Sequence, residues 1–488
     1  MGMSRHLWAA PALLFAAATL AACGDMGRLQ TAALQPAAPA LKPNRTITTT
    51  PASEKEHERI LASYGGLYDD PRLEAIVTKT VDRLVAASDR PDQAYKVTIL
   101  NSGAVNAFAL PTGQLYVTRG LIALANDTSE LSSVLSHEMA HVLSKHAAIR
   151  EDQARQAAIV DRVVTDMGND PDVTAFTIAK NKMAMANFSR SQEIDADEMG
   201  VAISAHAHFD PYGASRFLTS MERNAELKAG KTSLDPRTQD FLSSHPATPE
   251  RVSNAQINAR QYSSPGAGER DRAAYLARID GLVYGEDPAE GFVRGRRFIH
   301  PRLGFAFTAP EGFSLDNTAQ AVLGVTDGGN QAMRLDVVRI PSEQTLAGYL
   351  TSGWLTNVDQ NSVQELTING FPAATATAAG DQWSFRLYVV RFGSEIYRFI
   401  YATKGKITEN DRAFRASIES FRRLSVSEIQ GARPLRVKII TVKAGDTIES
   451  IAVHMTHVEQ PVTRFRVLNG LAHTARLKAG DQVKILIE

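Results

Sequence analysis

The stretch that decides the architecture is LSSVLSHEMAHVLSKH, residues 131–146, because it contains the pattern H-E-x-x-H. On a helix, residues four positions apart lie on one face, so His137 and His141 can direct two imidazole nitrogens at one metal ion. Glu138 lies about 100° around the helix from His137, where its carboxylate can reach a metal-bound water. The spacing favours a metal site over the alternative of two ordinary histidines on a helix.

The flanking residues predict that this stretch is helical. Asp127 is followed three residues later by Glu130, which is a capping pair. One apolar face follows at helical spacing, formed by Leu131, Val134, Leu135, Met139, Val142 and Leu143. We therefore expect a helix that begins just after Asp127.

Length and composition place limits on the rest of the protein. With 488 residues the chain is too long for one hydrophobic core, and two to four domains are expected. Lys plus Arg and Asp plus Glu number 53 each, so no global charge favours nucleic acid or anionic lipid as a partner. No nucleic-acid partner is expected.

The N-terminus has the pattern of an export signal. An apolar run over residues 7–20 is too short for a membrane span and suits a signal-peptide core. It ends in LAAC, which resembles a bacterial lipobox, and Cys23 is the only cysteine in the chain. Residues 1–22 are therefore predicted to be a lipoprotein signal peptide, with Cys23 lipidated as the membrane anchor. Gly24, in place of Asp, favours the outer membrane, facing the periplasm.

Between Cys23 and the helix that carries H-E-x-x-H, the residue composition changes twice. Residues 23–53 are rich in Ala, Thr and Pro, which predicts a flexible tether, and helical patterns begin near Glu54 and at Pro71. After a strand over residues 95–100, PTG at 111–113 predicts a β-hairpin turn. The first hairpin strand, from Asn106 to Leu110, is the candidate edge that pairs with a peptide substrate, and its candidate site residues are Asn106, Ala107 and Phe108.

A third metal ligand is needed, and a glutamate from a later helix is a common source of one. Glu193 and Asp197 lie four residues apart on a predicted helix, although two acids on a solvated surface would look the same. A third histidine at metzincin spacing is excluded, since Ser144 and Ala147 stand at the two diagnostic positions. His146 falls outside the ligand face of the helix.

Several segments together resemble one family. They are YGGLYDDP at 64–71, NAFALPTGQLYVTRGL at 106–121, SHEMAH at 136–141, SRSQEIDAD at 189–197 and SHPATPERV at 244–252. In this order they resemble the HtpX and CAAX-prenyl-endopeptidase family of zinc peptidases, especially its periplasmic members. The resemblance covers residues 54–262 and implies a mainly α-helical, gluzincin-type metalloprotease domain with a small β-hairpin or sheet.

The resemblance also implies roles for the site residues. One zinc ion per chain would be held by His137, His141 and Glu193, with Asp197 orienting a histidine ligand. A zinc-bound water would attack the peptide carbonyl while Glu138 accepts its proton as general base.

His245, in the segment SHPAT, carries a second hypothesis. Pro246 favours an extended conformation at His245, although the segment could simply pack against or cap the next helix. In family relatives the matching H-P segment reaches the zinc cleft, which leaves two functional roles open. His245 would be either a latch in the fourth zinc position or a donor that stabilises the oxyanion.

The remaining chain predicts three further parts. Residues 263–290 have a linker composition around a short helix, and residues 291–430 alternate short strands with helices near 344–354 and 409–421. The latter segment is predicted to be an α+β domain of unknown role. Residues 437–488 resemble a LysM-like βααβ module, a class that binds peptidoglycan, with Gly445, Asp446 and Thr447 as candidate glycan-binding residues.

The sequence thus predicts a multidomain zinc endopeptidase of the bacterial envelope, held to the membrane by its lipid alone. Its expected substrates are unfolded or misassembled envelope proteins, and its LysM-like module would bind peptidoglycan. The alternative is a cell-wall-associated scaffold or chaperone-like lipoprotein with little proteolysis.

Overall fold

The first helix begins within the segment expected to be a flexible tether. The computed structural model describes residues 47, 49–152, 189–228, 240–246, 248–318 and 321–488, so the expected signal peptide, Cys23 and most of the tether lie outside the described residues. Helix α1 is Pro51–Ser63, and the Thr50 side chain caps it by accepting a hydrogen bond from the Ser53 N–H. The helix therefore starts before Glu54 and includes residues 51–53 of the expected tether.

A small sheet follows helix α2, Pro71–Ala87. Its strands are β1, Lys96–Leu100, β2, Ala107–Ala109, and β3, Gln114–Thr118. The strand order is β1-β3-β2, with β1 parallel and β2 antiparallel to β3. The predicted hairpin is therefore confirmed, and β2 is an edge strand of this sheet.

The remaining helices of this region pack around the helix that carries H-E-x-x-H. They are α3, Arg119–Leu124, α4, Thr128–Leu143, α5, Arg190–His206, α6, Gly213–Lys228, α7, Pro249–Tyr262, and α8, Arg272–Ile279.

Helix α4 begins where the capping pair predicts. Asp127 Oδ1 accepts a hydrogen bond from the Glu130 N–H at 2.9 Å, and the Glu130 carboxylate accepts one from the Asn126 N–H at 2.8 Å. Every residue of α4 from Thr128 to His141 is buried, including the polar ones. The metal helix is therefore a central element of the fold and not a surface helix.

The middle region contains two sheets. A seven-stranded sheet has the order β10-β11-β12-β13-β9-β8-β7, and a four-stranded sheet has the order β14-β6-β5-β4. The strands are β4, Phe292–Arg294, β5, Arg297–His300, β6, Phe305–Thr308, β7, Phe313–Asn317, β8, Val322–Thr326, β9, Gln331–Val338, β10, Gln364–Ile368, β11, Phe371–Ala379, β12, Ser384–Phe392, β13, Glu395–Thr403, and β14, Arg422–Arg423. The helices are α9, Leu346–Leu350, α10, Ile407–Glu419, and α11, Val426–Gly431. The first of these helices is shorter than the predicted span of 344–354.

The last region has the element order β-α-α-β. It consists of β15, Arg436–Thr441, α12, Ile448–Ala452, α13, Pro461–Leu468, and β16, Gln482–Ile487. Helix α8, in the segment predicted as a linker, buries Tyr275 and Leu276 in the same apolar core as α2 and α4. Among the described residues, no helix combines the length and apolar character that a membrane span needs.

Candidate metal centre

Four potential metal ligands converge in the interior of the helical region. His137 and His141 come from α4, Glu193 from the first turn of α5, and His245 from the residues after a short 3-10 helix, Phe241–Ser243. One donor atom from each residue lies within 4.8 Å of all the others, and all four side chains are buried. The predicted ligand set is thus brought together, and His245 joins it.

The donor atoms are spaced as a tetrahedral zinc ion requires. His137 Nε2 lies 3.1 Å from His141 Nε2 and 3.6 Å from Glu193 Oε2, while His141 Nε2 lies 3.5 Å from Glu193 Oε1. Bonds of about 2.1 Å in a tetrahedron place neighbouring donors roughly 3.4 Å apart. The donor set therefore fits a tetrahedral metal ion with little rearrangement.

His245 is part of the same cluster. Its Nδ1 lies 2.8 Å from Glu193 Oε1 and 3.4 Å from His137 Nε2, and its Nε2 lies 3.7 Å from Glu138 Oε1. The ring stacks on Phe241, with centroids 4.4 Å apart and planes 17° from parallel. The imidazole thus occupies the cleft and does not simply cap α7, whose N-cap is Thr248.

The ligands are held by a buried ionic network. Asp197 Oδ1 lies 3.0 Å from His137 Nδ1, which leaves His137 Nε2 directed at the other donors. The Arg251 guanidinium donates to both Asp197 oxygens at 2.6 and 2.8 Å, and its third nitrogen lies 2.8 Å from Glu193 Oε2. Burial opposes ionisation of Asp197, but the hydrogen bonds from Arg251 and His137 outweigh it and lower the pKa of this carboxyl.

Arg251 is a site residue that the sequence interpretation did not name, and His146 is one to which it gave no role. Arg251 lies in the SHPATPERV segment, two residues after Pro249, which begins the helix. This position within a family-like segment is the sequence feature that could have pointed to Arg251 as a site residue. His146 Nδ1 lies 3.0 Å from His141 Nδ1, so His146 contacts the nitrogen of His141 that faces away from the cluster. His146 is not a member of the donor cluster, as predicted, yet it contacts one of the four members.

The electrostatics of the cluster suit a cation. Burial lowers the pKa of His141 to about 3, so its imidazole is neutral, as a metal ligand must be. Burial disfavours the charged form of Glu193, but hydrogen bonds with His141 and His245 dominate and lower the pKa of this carboxyl. Burial raises the pKa of Glu138 to about 8 without an ion, and a divalent cation beside it would favour the carboxylate.

The edge strand β2 lies beside Glu138. The Leu110 N–H donates to the Gln114 carbonyl and the Thr118 N–H to the Asn106 carbonyl, so the main-chain groups of Ala107 and Ala109 face away from β3. The Ala109 N–H hydrogen bonds to the Glu138 carboxylate. The expected substrate strand is thus adjacent to the expected base.

The other candidate substrate-strand residues have structural contacts. The Asn106 amide donates to the Tyr64 hydroxyl at 3.3 Å, and the Phe108 ring stacks on Tyr116 with centroids 4.9 Å apart. These contacts fix the strand against the rest of the sheet and α1.

The candidate glycan-binding residues lie in a separate place, the loop between β15 and α12. Gly445 has a φ of +89°, Asp446 Oδ2 accepts a hydrogen bond from the Lys443 N–H at 2.7 Å, and Thr447 caps α12. Each of the three therefore has a role in shaping the turn.

A metallopeptidase centre typically consists of two histidines on an H-E-x-x-H helix, a glutamate from a later helix and an adjacent carboxylate, and this cluster has each of these parts. Comparison with known families gives a more specific assignment. Residues 71–259 match Peptidase family M48, and residues 440–486 match the LysM domain. The chain therefore contains a peptidase domain of family M48 and, after the middle region, a LysM domain.

Similar proteins share the peptidase part. A putative beta-barrel assembly-enhancing protease of Vibrio cholerae is 29% identical over 213 residues, which cover 42% of this chain and 43% of that protein. The beta-barrel assembly-enhancing protease of Escherichia coli is 26% identical over 229 residues, or 45% of each chain. Mitochondrial metalloendopeptidase OMA1 of Schizosaccharomyces pombe is 28% identical over 177 residues, covering 36% of this chain and 50% of that protein. The chain spans half or less of the length of these relatives.

Proposed function

We propose that this protein is a zinc-dependent endopeptidase of the bacterial cell envelope. The observation that carries the proposal is the buried set of His137, His141, Glu193 and His245, at donor spacings that suit zinc, with Glu138 beside it. The M48 match and the endopeptidase names of the relatives support the same reaction class.

Each site residue would have a separate role in the reaction. A bound zinc ion would supply a Lewis acid and a water of lowered pKa. His137, His141 and Glu193 would hold the ion, and Asp197 would keep His137 in the correct tautomer and orientation. Glu138 Oε1 is buried and has no hydrogen-bond partner among the residues that the structure describes. This oxygen is placed to take the proton of the attacking water and to deliver it to the leaving amine.

We infer that substrates bind as extended chains along β2. The outward-facing main-chain groups of Ala107 and the carbonyl of Ala109 are of the kind that pairs with an added strand. Such pairing would place a peptide carbonyl next to Glu138 and requires an unfolded segment. The relatives named for β-barrel assembly are consistent with unfolded or misassembled envelope proteins as the substrates.

We infer that His245 is a latch. In the present conformation its imidazole is the fourth donor of the cluster, which is the position that a catalytic water needs. The segment before it also contacts the strand that leads into β2: the Phe241 N–H donates to the Val105 carbonyl, and Asp240 accepts from the Val105 N–H. Ala107 is only 1% exposed. Opening of this segment would free both the metal position and the start of the substrate strand.

Lipidation at Cys23, attachment to the outer membrane and peptidoglycan binding by the LysM domain complete the proposal. They are supported by the LAAC pattern and by the LysM match. Together they would place the peptidase between the membrane and the cell wall.

The test compares wild-type protein with Glu138→Gln and Glu193→Ala. We expect about one zinc per wild-type chain and cleavage of an unfolded protein such as casein. Glu138→Gln should retain the zinc and lose cleavage, whereas Glu193→Ala should lose stoichiometric zinc. Wild-type protein that binds zinc but cleaves nothing, even with His245 replaced by Ala, would favour the scaffold alternative. Full zinc in Glu193→Ala would refute the ligand assignment.

A further inference from the structure

The LysM domain does not have a core separate from that of the peptidase domain. Apolar residues of β15, α12, α13 and β16, including Val437, Phe465 and Leu486, belong to the same buried cluster as Leu121 and Leu131 of the peptidase. The middle region forms clusters of its own. The chain therefore passes through the middle region and returns to pack its last domain on the peptidase.

Main-chain hydrogen bonds join the two domains as well. The Gly281 N–H donates to the Val437 carbonyl, the Val437 N–H donates to the Leu282 carbonyl, and the Tyr284 N–H donates to the Leu435 carbonyl. The segment after α8 thus lies along the free edge of β15 and extends the two-stranded sheet of the LysM domain. In an isolated LysM domain this edge of β15 would lose its partner segment and its main-chain groups would be unpaired.

One lysine of the LysM domain reaches into the peptidase. Lys484 is fully buried, and its ammonium group donates to the carbonyls of Ala123, Leu124 and Ala125 at 2.8, 2.9 and 2.9 Å. These carbonyls end α3, where a helix leaves acceptors unsatisfied and carries partial negative charge. The three N–H groups of the ammonium thus have three carbonyl acceptors. The Asn469 side chain hydrogen bonds to both the main-chain N–H and the main-chain carbonyl of Lys484.

The carbonyls that accept from Lys484 lie immediately before helix α4, which carries His137 and His141. Ala125 is followed by Asn126 and by Asp127, the N-cap of α4. Arg272 donates to the Asn126 carbonyl at 2.9 Å and to the Gln482 carbonyl of the LysM domain at 3.2 Å. The LysM domain therefore holds the end of α3 through Lys484, and Arg272 of α8 bridges the turn before α4 to the same domain.

We propose that the LysM domain is a docked part of the peptidase and that Lys484 is a positioning residue for the zinc helix. Because α4 is continuous from Thr128 to Leu143, a displacement of its start is transmitted to His137 and His141. The loop with Gly445 remains exposed in the docked state, so glycan bound there would hold the zinc cleft in a fixed orientation to the cell wall. The part of the proposal that concerns zinc and glycan rests on the proposed function, whereas the docking itself does not.

Docking can be tested by cutting the full chain. A site for a specific protease, inserted after the exposed Gly431 in the partly exposed stretch before β15, allows cleavage of the folded protein. We expect the LysM fragment to elute with the rest of the protein in native gel filtration and to separate only in denaturant. Separation under native conditions would overturn the proposal. Neither result depends on zinc or on peptidase activity, so the outcome is independent of the proposed function.

Positioning can be tested with Lys484→Met and a matched control, Lys478→Met, which removes an exposed lysine of the same LysM domain. Lys484→Met should increase amide hydrogen exchange over residues 121–138, with exchange in β11–β13 unchanged. It should also weaken zinc binding and lower kcat on a short peptide about tenfold or more, with little change in KM, whereas Lys478→Met should behave as wild type. Unchanged exchange and zinc affinity in Lys484→Met would refute the positioning role. If Lys484→Met does not fold, hydrogen exchange of the nicked wild-type chain before and after removal of the LysM fragment gives the same comparison.

Discussion

At the scale of single residues, the site depends on the balance of buried charge. Glu193 and Asp197 are two carboxylates on one turn of α5, and only 2% and 8% of their surfaces are exposed. Arg251 is the cation that contacts both, at 2.8 Å or less. A buried ion pair adds little stability by itself, but removal of one partner leaves a costly unpaired charge.

Arg251→Met should therefore destabilise the peptidase domain strongly. We expect a loss of about 3–5 kcal/mol in the free energy of unfolding, because two buried carboxylates lose their cation. Zinc affinity should also fall, since Asp197 would no longer be held against His137. Urea unfolding and zinc titration measure the two effects. Arg260→Met, at an exposed position of the same helix, is the control, and equal stability of the two variants would contradict this account.

His245→Ala separates the two roles that the sequence leaves open. As a latch, His245 competes with water for the fourth donor position, so its removal should raise basal cleavage and cause self-cleavage. As a donor to the oxyanion, its removal should cost on the order of 10²-fold in rate with zinc retained. Initial rates on casein distinguish the two, with the exposed His206→Ala as the control. Unchanged activity, zinc content and stability would exclude both roles.

At the scale of elements, the segment at 240–246 is held in the cleft by more than His245. The Phe241 side chain is 1% exposed, stacks on the His245 ring and contacts His137 edge-on at 5.7 Å between centroids. The Phe241 ring therefore packs this segment against His137 and His245.

Phe241→Ala should open this segment without removing any donor of the cluster. We expect basal cleavage to rise, as in His245→Ala, together with a stability loss of about 3–5 kcal/mol from the cavity. Phe241→Leu retains most of the apolar volume and should lie between the two. Cleavage rates that stay at the wild-type level in Phe241→Ala, with the fold intact, would show that the segment is not a gate.

The middle region predicts a pH effect away from the metal centre. His300 ends β5 among aromatic rings, and burial, aided by Arg302, lowers its pKa from 6.5 to about 4. Between these values the unfolded chain binds more protons than the folded one, so stability rises with pH from about 4 to 6.5 and is lost on acidification. His300→Phe should reduce this dependence. Urea midpoints at pH 7 and pH 4.5 measure it, and equal slopes for both proteins would refute the assignment.

At the scale of the whole molecule, attachment to the membrane is predicted to depend on one residue. Cys23 is the only cysteine of the chain and ends the LAAC pattern. Cys23→Ser should therefore move the processed protein from the membrane fraction to the soluble periplasmic fraction, as fractionation and immunoblotting would show. Membrane association that persists after correct signal cleavage would indicate another anchor.

The sequence determined the parts of the site whose signals are local. The spacing of His137, Glu138 and His141, the cap at Asp127 and the hairpin at 111–113 follow from helix and turn geometry over a few residues. The pairing of Glu193 with Asp197 also reflects helical spacing, and the assignment of Glu193 as a ligand came from the family resemblance. These residues lie together as expected.

Only the tertiary structure decided which distant groups join them. Arg251 contacts Asp197 across 54 residues of chain, and Lys484 reaches Ala125 across 359. Local periodicity carries no information on such contacts. A buried arginine or lysine has the same sequence pattern as an exposed one, and only tertiary packing decides which of them is removed from water. The same reason explains why the last module appeared to be a separate domain: its fold is encoded locally, whereas its docking depends on surfaces that exist only after both domains have formed.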